Sequence, residues 1–257
     1  MRVAFVIFLL AGFLAAHPAR AEEDSGCTVP GYLLTTESRL TKVADSIKLR
    51  KQLNILVVGS GSSLLVGPDG ASASYPARFE GALRAKLPGV TVHVTTDTLP
   101  KKTTEEVAKG LSQAIEKLPA DSKPALTIWQ TGTVDAIRAT DPDDFRSALD
   151  TGVETLQTAG ADVLLMNLQY SPRIESMLSV APYLDTMRVV SQQHDVPLFD
   201  RFAIMRYWSD AGDFDLLGAV HGYAMAKRVH DCIGRALSKF VVDASGINPG
   251  DLGVRRQ

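Results

Sequence analysis

The sequence is poor in the features that would commit it to several large classes. Two cysteines in 257 residues exclude a disulfide-dense scaffold and a cysteine-built metal centre. Beyond the amino terminus no stretch stays apolar for 18 residues, so no later segment qualifies as a membrane-spanning helix. Neither sign of charge dominates: 27 Lys and Arg stand against 29 Asp and Glu, a net −2. That balance gives no general attraction to nucleic acid or anionic lipid, and Lys101-Lys102 and Arg255-Arg256 read as solvated surface. No internal repeat, low-complexity tract or interdomain linker interrupts the chain.

What is present begins at the amino end. Met1-Arg2 precedes the apolar run Val3 to Ala16, then Ala19-Arg20-Ala21, then Glu22-Glu23-Asp24. One positive charge, a hydrophobic core and a small-x-small site follow the order of a secretory signal peptide. The run of 14 residues is shorter than the roughly 20 that cross a bilayer. Residues 1–21 therefore read as a cleavable signal, and the destination as periplasmic or secreted. Losing Arg2 and Arg20 takes the basic count from 27 to 25 against 29 acids, a mature net charge of −4. In an oxidising compartment an even cysteine count invites pairing, so a Cys27–Cys232 disulfide is expected, with two buried free thiols as the alternative.

The mature chain alternates strand and helix. Leu53 to Val58 is an apolar run that stops at Gly59, as a buried parallel strand does. Similar runs occur at 90–95, 125–130, 163–168 and 196–199. Phe79, Leu83 and Leu87 share a helical face, as do Val107, Leu111, Ile115 and Leu118. A helix over 142–159 is the clearest: Asp141 caps it, Pro142 suits its first turn, Phe145, Leu149, Val153 and Leu156 form its stripe, and Gly160 ends it. The last helix is expected from about 219 to 240. The pattern implies a three-layer α/β/α domain over 52–242, preceded by an extension (22–51) with a helix around Glu37 to Lys51 and followed by a tail (243–257).

In such a sheet, ligands bind beyond the carboxyl ends of the strands. The turn after the first strand reads Gly59-Ser60-Gly61-Ser62-Ser63-Leu64-Leu65-Val66-Gly67. It is neither a dinucleotide fingerprint, which wants glycine where Leu64 stands, nor a P-loop, which wants Gly-Lys-Ser/Thr. Nucleophilic chemistry by a serine, or a plain glycine–serine loop, remains.

Gly61 to Gly67 resembles the Gly-Asp-Ser-Leu-x-x-Gly block of SGNH/GDSL hydrolases, with Ser62 in place of the aspartate. The resemblance continues through Ser74-Tyr75-Pro76-Ala77-Arg78 and through Trp129-Gln130-Thr131-Gly132-Thr133-Val134-Asp135, which is similar to the family's Gly-x-Asn-Asp block. Asn167-Leu168-Gln169-Tyr170-Ser171-Pro172 and Phe199-Asp200-Arg201-Phe202 fall where its fourth and fifth strands end. It covers roughly 52–240 and implies a flavodoxin-like five-stranded parallel sheet. The implied nucleophile is Ser63, with Ser60 and Ser62 aligning less well. His221 opens the last helix where the family's base belongs, with Asp215 to orient it and His230 as the next candidate. Ser62, Thr133 and Asp135 are implied at the oxyanion or substrate subsites, with Thr131 and Arg138 nearby. The sequence departs from the family in three places: no glycine lies between Gly89 and Gly110 for the oxyanion hole, Val134 stands where an asparagine is usual, and the Asp-x-x-His pair is absent.

The implied function is a serine esterase acting on a small acyl ester, on an envelope glycan or lipid. It would proceed through an acyl-enzyme without metal or organic cofactor. The alternative is a binding or envelope-assembly module that kept the fold and lost the reaction. The sequence leaves the ester and the oligomeric state open. The export reading predicts cleavage after Ala21. Intact-mass measurement of protein from a secreting host should show Glu22 as the first residue, and a retained Met1 would refute it.

Overall fold

The computed structural model describes residues 27–217 and 222–252; the expected signal peptide lies outside the described residues. Five strands, β1 (Gln52–Gly59), β2 (Thr91–Thr98), β3 (Leu126–Gln130), β4 (Asp162–Met166) and β5 (Leu198–Phe199), form one sheet. Their order is β2-β1-β3-β4-β5, and every neighbouring pair is parallel. This is the flavodoxin-like arrangement that the resemblance implied. The central strands β1, β3 and β4 are buried almost throughout, which is why they read as apolar runs rather than alternating patterns. The edge strand β2 keeps only Val92 fully buried and carries Thr and His outward.

Among the described residues, twelve α-helices connect and cover the sheet. In chain order they are α1 (Thr41–Asp45), α2 (Gly70–Ala73), α3 (Tyr75–Lys86), α4 (Thr104–Ala108), α5 (Leu111–Glu116) and α6 (Thr133–Arg138). After them come α7 (Pro142–Thr158), α8 (Pro172–Met177), α9 (Ala181–Gln193), α10 (Arg201–Asp210), α11 (Gly222–Ser245) and α12 (Pro249–Leu252). They pack in two groups, α3 with α11 and α1, and α7 with α4, α5 and α9. The sheet lies between them as the middle layer.

The α7 helix forms as its sequence dictates: Asp141 accepts a hydrogen bond from the Asp143 N–H, Pro142 opens the first turn, and Phe145, Leu149, Val153 and Leu156 are fully buried. Two other helices differ from expectation. The stripe Val107–Ile115 is divided between α4 and α5 because Lys109 and Gly110 break it. The extension helix starts later, at Thr41, and its last turn is a π turn over Ser46–Arg50, closed by Lys51 at φ 53°.

The extension is part of the core. Its Val43 N–H donates to the Asp162 carboxylate at the start of β4, and Trp208 Nε1 donates to the Thr28 carbonyl. Cys27 is disulfide-bonded to Cys232 of α11, with Cα atoms 5.2 Å apart and a sequence separation of 205. A loop of that length is worth about 5 kcal/mol in the chain-entropy account.

The close approach of α11 to α3 rests on Gly234. A Cβ there would lie 2.6 Å from Arg78 Cβ and 2.7 Å from the Phe79 backbone nitrogen. Gly81, on the exposed side of α3, has nothing within 4 Å of such an atom. Gly234→Ala should therefore destabilise by about 1–3 kcal/mol through overpacking. Gly81→Ala should stabilise by about 0.5–1 kcal/mol through helix propensity. Chemical denaturation of the two variants checks both signs.

Candidate functional site

β1 ends at Gly59, and the chain turns through a single 3₁₀ turn, Gly61–Ser63. The Ser63 N–H closes this turn on the Ser60 carbonyl at 2.9 Å. The turn folds Ser63 back over Gly59, where a Cβ would collide with the Ser63 hydroxyl. Glycine at 59 is thus a packing requirement, not only a conformational one. Gly61, by contrast, faces open space, with Pro100 Cβ at 3.8 Å the one neighbour of a Cβ built there.

The Gln130 side chain, at the end of β3 and 2 % exposed, organises this turn. Its Oε1 accepts hydrogen bonds from Ser63 Oγ at 2.5 Å and from the Tyr75 hydroxyl at 3.2 Å. Its Nε2 donates to Ser60 Oγ at 3.0 Å and to Ser62 Oγ at 2.7 Å. Both lone pairs and both protons of the amide are therefore used.

Ser63, the expected nucleophile, has a wholly buried side chain, and its hydroxyl is hydrogen-bonded to Gln130 and Tyr75. Ser62 is the partly exposed serine of the turn. Besides Gln130, it meets Ser60 Oγ at 3.1 Å and Arg201 Nη1 at 3.4 Å.

Asp135, expected at a substrate subsite, is enclosed in the same way. It is 1 % exposed, and its carboxylate accepts from the Thr104 N–H at 3.1 Å and from Thr104 Oγ1 at 2.7 Å. It fastens the start of α4 to α6 instead of facing a ligand. Burial pushes its carboxyl up, and the Thr104 hydrogen bonds oppose that shift. Arg138 reaches back to Glu106 and the Lys101 carbonyl. Thr131 is bonded to Thr104 Oγ1, whereas Thr133 Oγ1 is buried and makes no hydrogen bond among the described residues. The cavity between the ends of β1 and β3, lined by Ser60, Gln130, Thr133 and Val134, measures about 10 Å³, room for one water at most.

His221 lies outside the described residues. Asp215 is exposed, and its carboxylate accepts from the Leu217 N–H at 3.1 Å. His230 is buried on α11, and its Nδ1 accepts the Tyr75 N–H at 2.9 Å, which caps the start of α3. Burial, and secondly the charge of Arg201, hold its pKa down to about 3, so the ring is neutral. Of the other histidines, His93 sits on edge strand β2 and His194 pairs with Asp150 at 2.9 Å. Among the described residues no cluster of His, Cys, Asp and Glu suits a metal ion, and no helix is long and apolar enough to cross a membrane.

Sequence reasoning missed Gln130 and Arg201 as site residues, although both stood in quoted blocks. Each carried a readable signal: an amide closing a mostly apolar strand, and an arginine between Phe199 and Phe202.

His230 supplies a pH test. Its folded pKa, about 3, lies below the ordinary 6.5, so the unfolded chain takes up the extra proton. The stability it contributes is complete above pH 6.5 and is lost as pH falls toward 3. His230→Gln should lose that dependence. Urea unfolding of both proteins between pH 7 and 4 should show their stability difference shrinking with acid, and a constant difference would overturn the assignment.

The sequence profile of the non-GDSL lipase-like family matches residues 26–247. No curated protein matches the chain. Among solved structures, the psychrotrophic esterase EstA from Pseudoalteromonas sp. is similar at TM-score 0.57 and 16 % identity, over 74 % of this chain and 97 % of that one. TesA is similar at TM-score 0.55 and 21 % identity, over 73 % and 99 %. A variant of Axe2, an acetyl-xylooligosaccharide esterase from Geobacillus, is similar at TM-score 0.54 and 15 % identity, over 80 % and 97 %. These likenesses show the shared fold, and the family match supports a hydrolase, leaning to an esterase.

Proposed function

We propose, for a chain that belongs to the non-GDSL lipase-like family, that it is an exported serine hydrolase of small acyl esters, with Ser62 as the reacting hydroxyl. The observation that carries this reading is the setting of Ser62. It is the partly exposed serine of the strand-end turn, and two donors, Gln130 Nε2 at 2.7 Å and Arg201 Nη1 at 3.4 Å, address its oxygen. Donors aimed at an oxygen favour its deprotonated form and so lower the cost of making a nucleophile.

In this reading Ser62 Oγ attacks the ester carbonyl while His221 takes its proton and Asp215 orients the imidazole. The alcohol leaves with that proton, and water then releases the acid. The disulfide agrees with passage through an oxidising compartment, periplasmic or extracellular.

A second reading, a ligand-binding or envelope-assembly module on the same fold, is favoured by the oxyanion region. Val134 offers no side-chain donor, and the cavity beside it is filled to about 10 Å³. Loss of one such donor costs about a hundred- to thousandfold in turnover.

A fluorophosphonate probe separates the two. The hydrolase reading expects labelling of the wild type that is abolished in Ser62→Ala and His221→Ala and retained in Ser63→Ala. It also expects Ser62→Ala to lower kcat/KM on p-nitrophenyl acetate roughly a thousandfold or more. Absence of labelling at high protein concentration selects the binding module.

A further inference from the structure

Arg201 occupies an unusual electrostatic position. It is the first residue of α10, is 2 % exposed, and lies over the Tyr75 ring with 5.8 Å between guanidinium carbon and ring centroid. Its guanidinium donates to neutral acceptors alone: Nη2 to Gln169 Oε1 at 2.8 Å and Nη1 to Ser62 Oγ at 3.4 Å. Its Nε is buried without a hydrogen-bond partner among the described residues. No carboxylate among the described residues pairs with it. The adjacent Asp200 is turned away, toward Asn167 Nδ2 at 2.7 Å and Arg188 at 3.5 Å. A buried cation without a counter-charge is costly, and such groups are normally paired.

The same side chain forms part of the wall of a cavity of about 340 Å³, together with Gln169, Asp215, Met225, Val229 and His230. Two further donors belong to that wall. Gln169 gives its carbonyl to Arg201 and keeps its amide protons. His230 accepts the Tyr75 N–H on Nδ1, which leaves the proton of its neutral ring on Nε2. The remaining lining is largely apolar, with Tyr170, Met205 and Ala226 beside Met225 and Val229.

We propose that this cavity binds a small organic monocarboxylate, with the Arg201 guanidinium as its counter-charge and the hydrocarbon part against Met225 and Val229. A monoanion fits better than a phosphate dianion because the one guanidinium in the wall neutralises a single negative charge. The cavity shares Arg201 and Asp215 with the site of the hydrolase reading, but carboxylate binding needs no nucleophile and stands whether or not Ser62 reacts.

The test is calorimetric titration of the full-length mature protein with hexanoate, with hexan-1-ol and hexyl phosphate as controls. Hexanoate should bind and raise Tm, and hexan-1-ol should bind roughly tenfold more weakly or worse, because it lacks the charge-assisted contacts. Arg201→Met should weaken hexanoate by a similar factor while leaving hexan-1-ol unchanged, and should remain folded, since it removes an uncompensated charge. If Arg201→Met does not fold, Met225→Trp, which fills the cavity, takes its place and should abolish hexanoate binding. Equal affinity for acid and alcohol, hexyl phosphate binding more tightly than hexanoate, no binding, or binding indifferent to the substitution would each overturn the proposal. Because the readout is binding, its failure leaves the fluorophosphonate result untouched, and the reverse holds too.

Discussion

Four hydrogen bonds converge on one buried amide, and the carboxyl edge of the sheet takes its form from them. Gln130 ends β3 at the level where β1 gives way to its turn, and its side chain engages Ser60, Ser62, Ser63 and Tyr75. Parallel pairing of β1 with β3 sets the distance across which the amide must reach. An amide with all four positions filled is stable in a dry interior, whereas any partner removed leaves a buried polar atom unsatisfied. The turn, the start of α3 and the aspect of Ser62 are therefore one unit. His230 extends it by holding the Tyr75 N–H from the other side.

The charges at this edge are handled in two ways. Asp135 is buried against matched donors on Thr104, which makes it a structural clamp between α4 and α6. Arg201 is buried against neutral partners and a phenol ring, with burial easing its pKa down to about 10, still protonated at neutral pH. Similar burial thus has opposite meanings, and the difference lies in what each side chain faces.

Most of the fold was legible in the sequence because it rests on local pattern. The runs that became β1, β3 and β4 are fully buried, and a fully buried strand has no alternation to obscure it. The limits of β5 were not legible: Val196 and Pro197 share its apolar character, yet only Leu198 and Phe199 pair with β4. The break between α4 and α5 was hidden for a related reason, since Val107, Leu111 and Ile115 keep one stripe across it. At the site, the glycine–serine turn offered three hydroxyls, and local sequence does not distinguish them. Their sorting into two buried, Ser60 and Ser63, and one partly exposed, Ser62, depends on Gln130 and Tyr75, contacts that span 67 and 12 residues from Ser63. The contact that encloses Asp135 was hidden for the same reason, because its partner Thr104 lies 31 residues upstream.

The bridge between Cys27 and Cys232 also bears on how the molecule is made. A chain synthesised from its amino end presents the first thiol early and the second 205 residues later. Until then the first has no intramolecular partner, since the sequence contains no third cysteine. Within these 257 residues only one intramolecular pairing exists, and forming it needs oxidation but no isomerase to reshuffle it. Its closure must also be a late event in biogenesis, sealing a domain whose strands have already emerged.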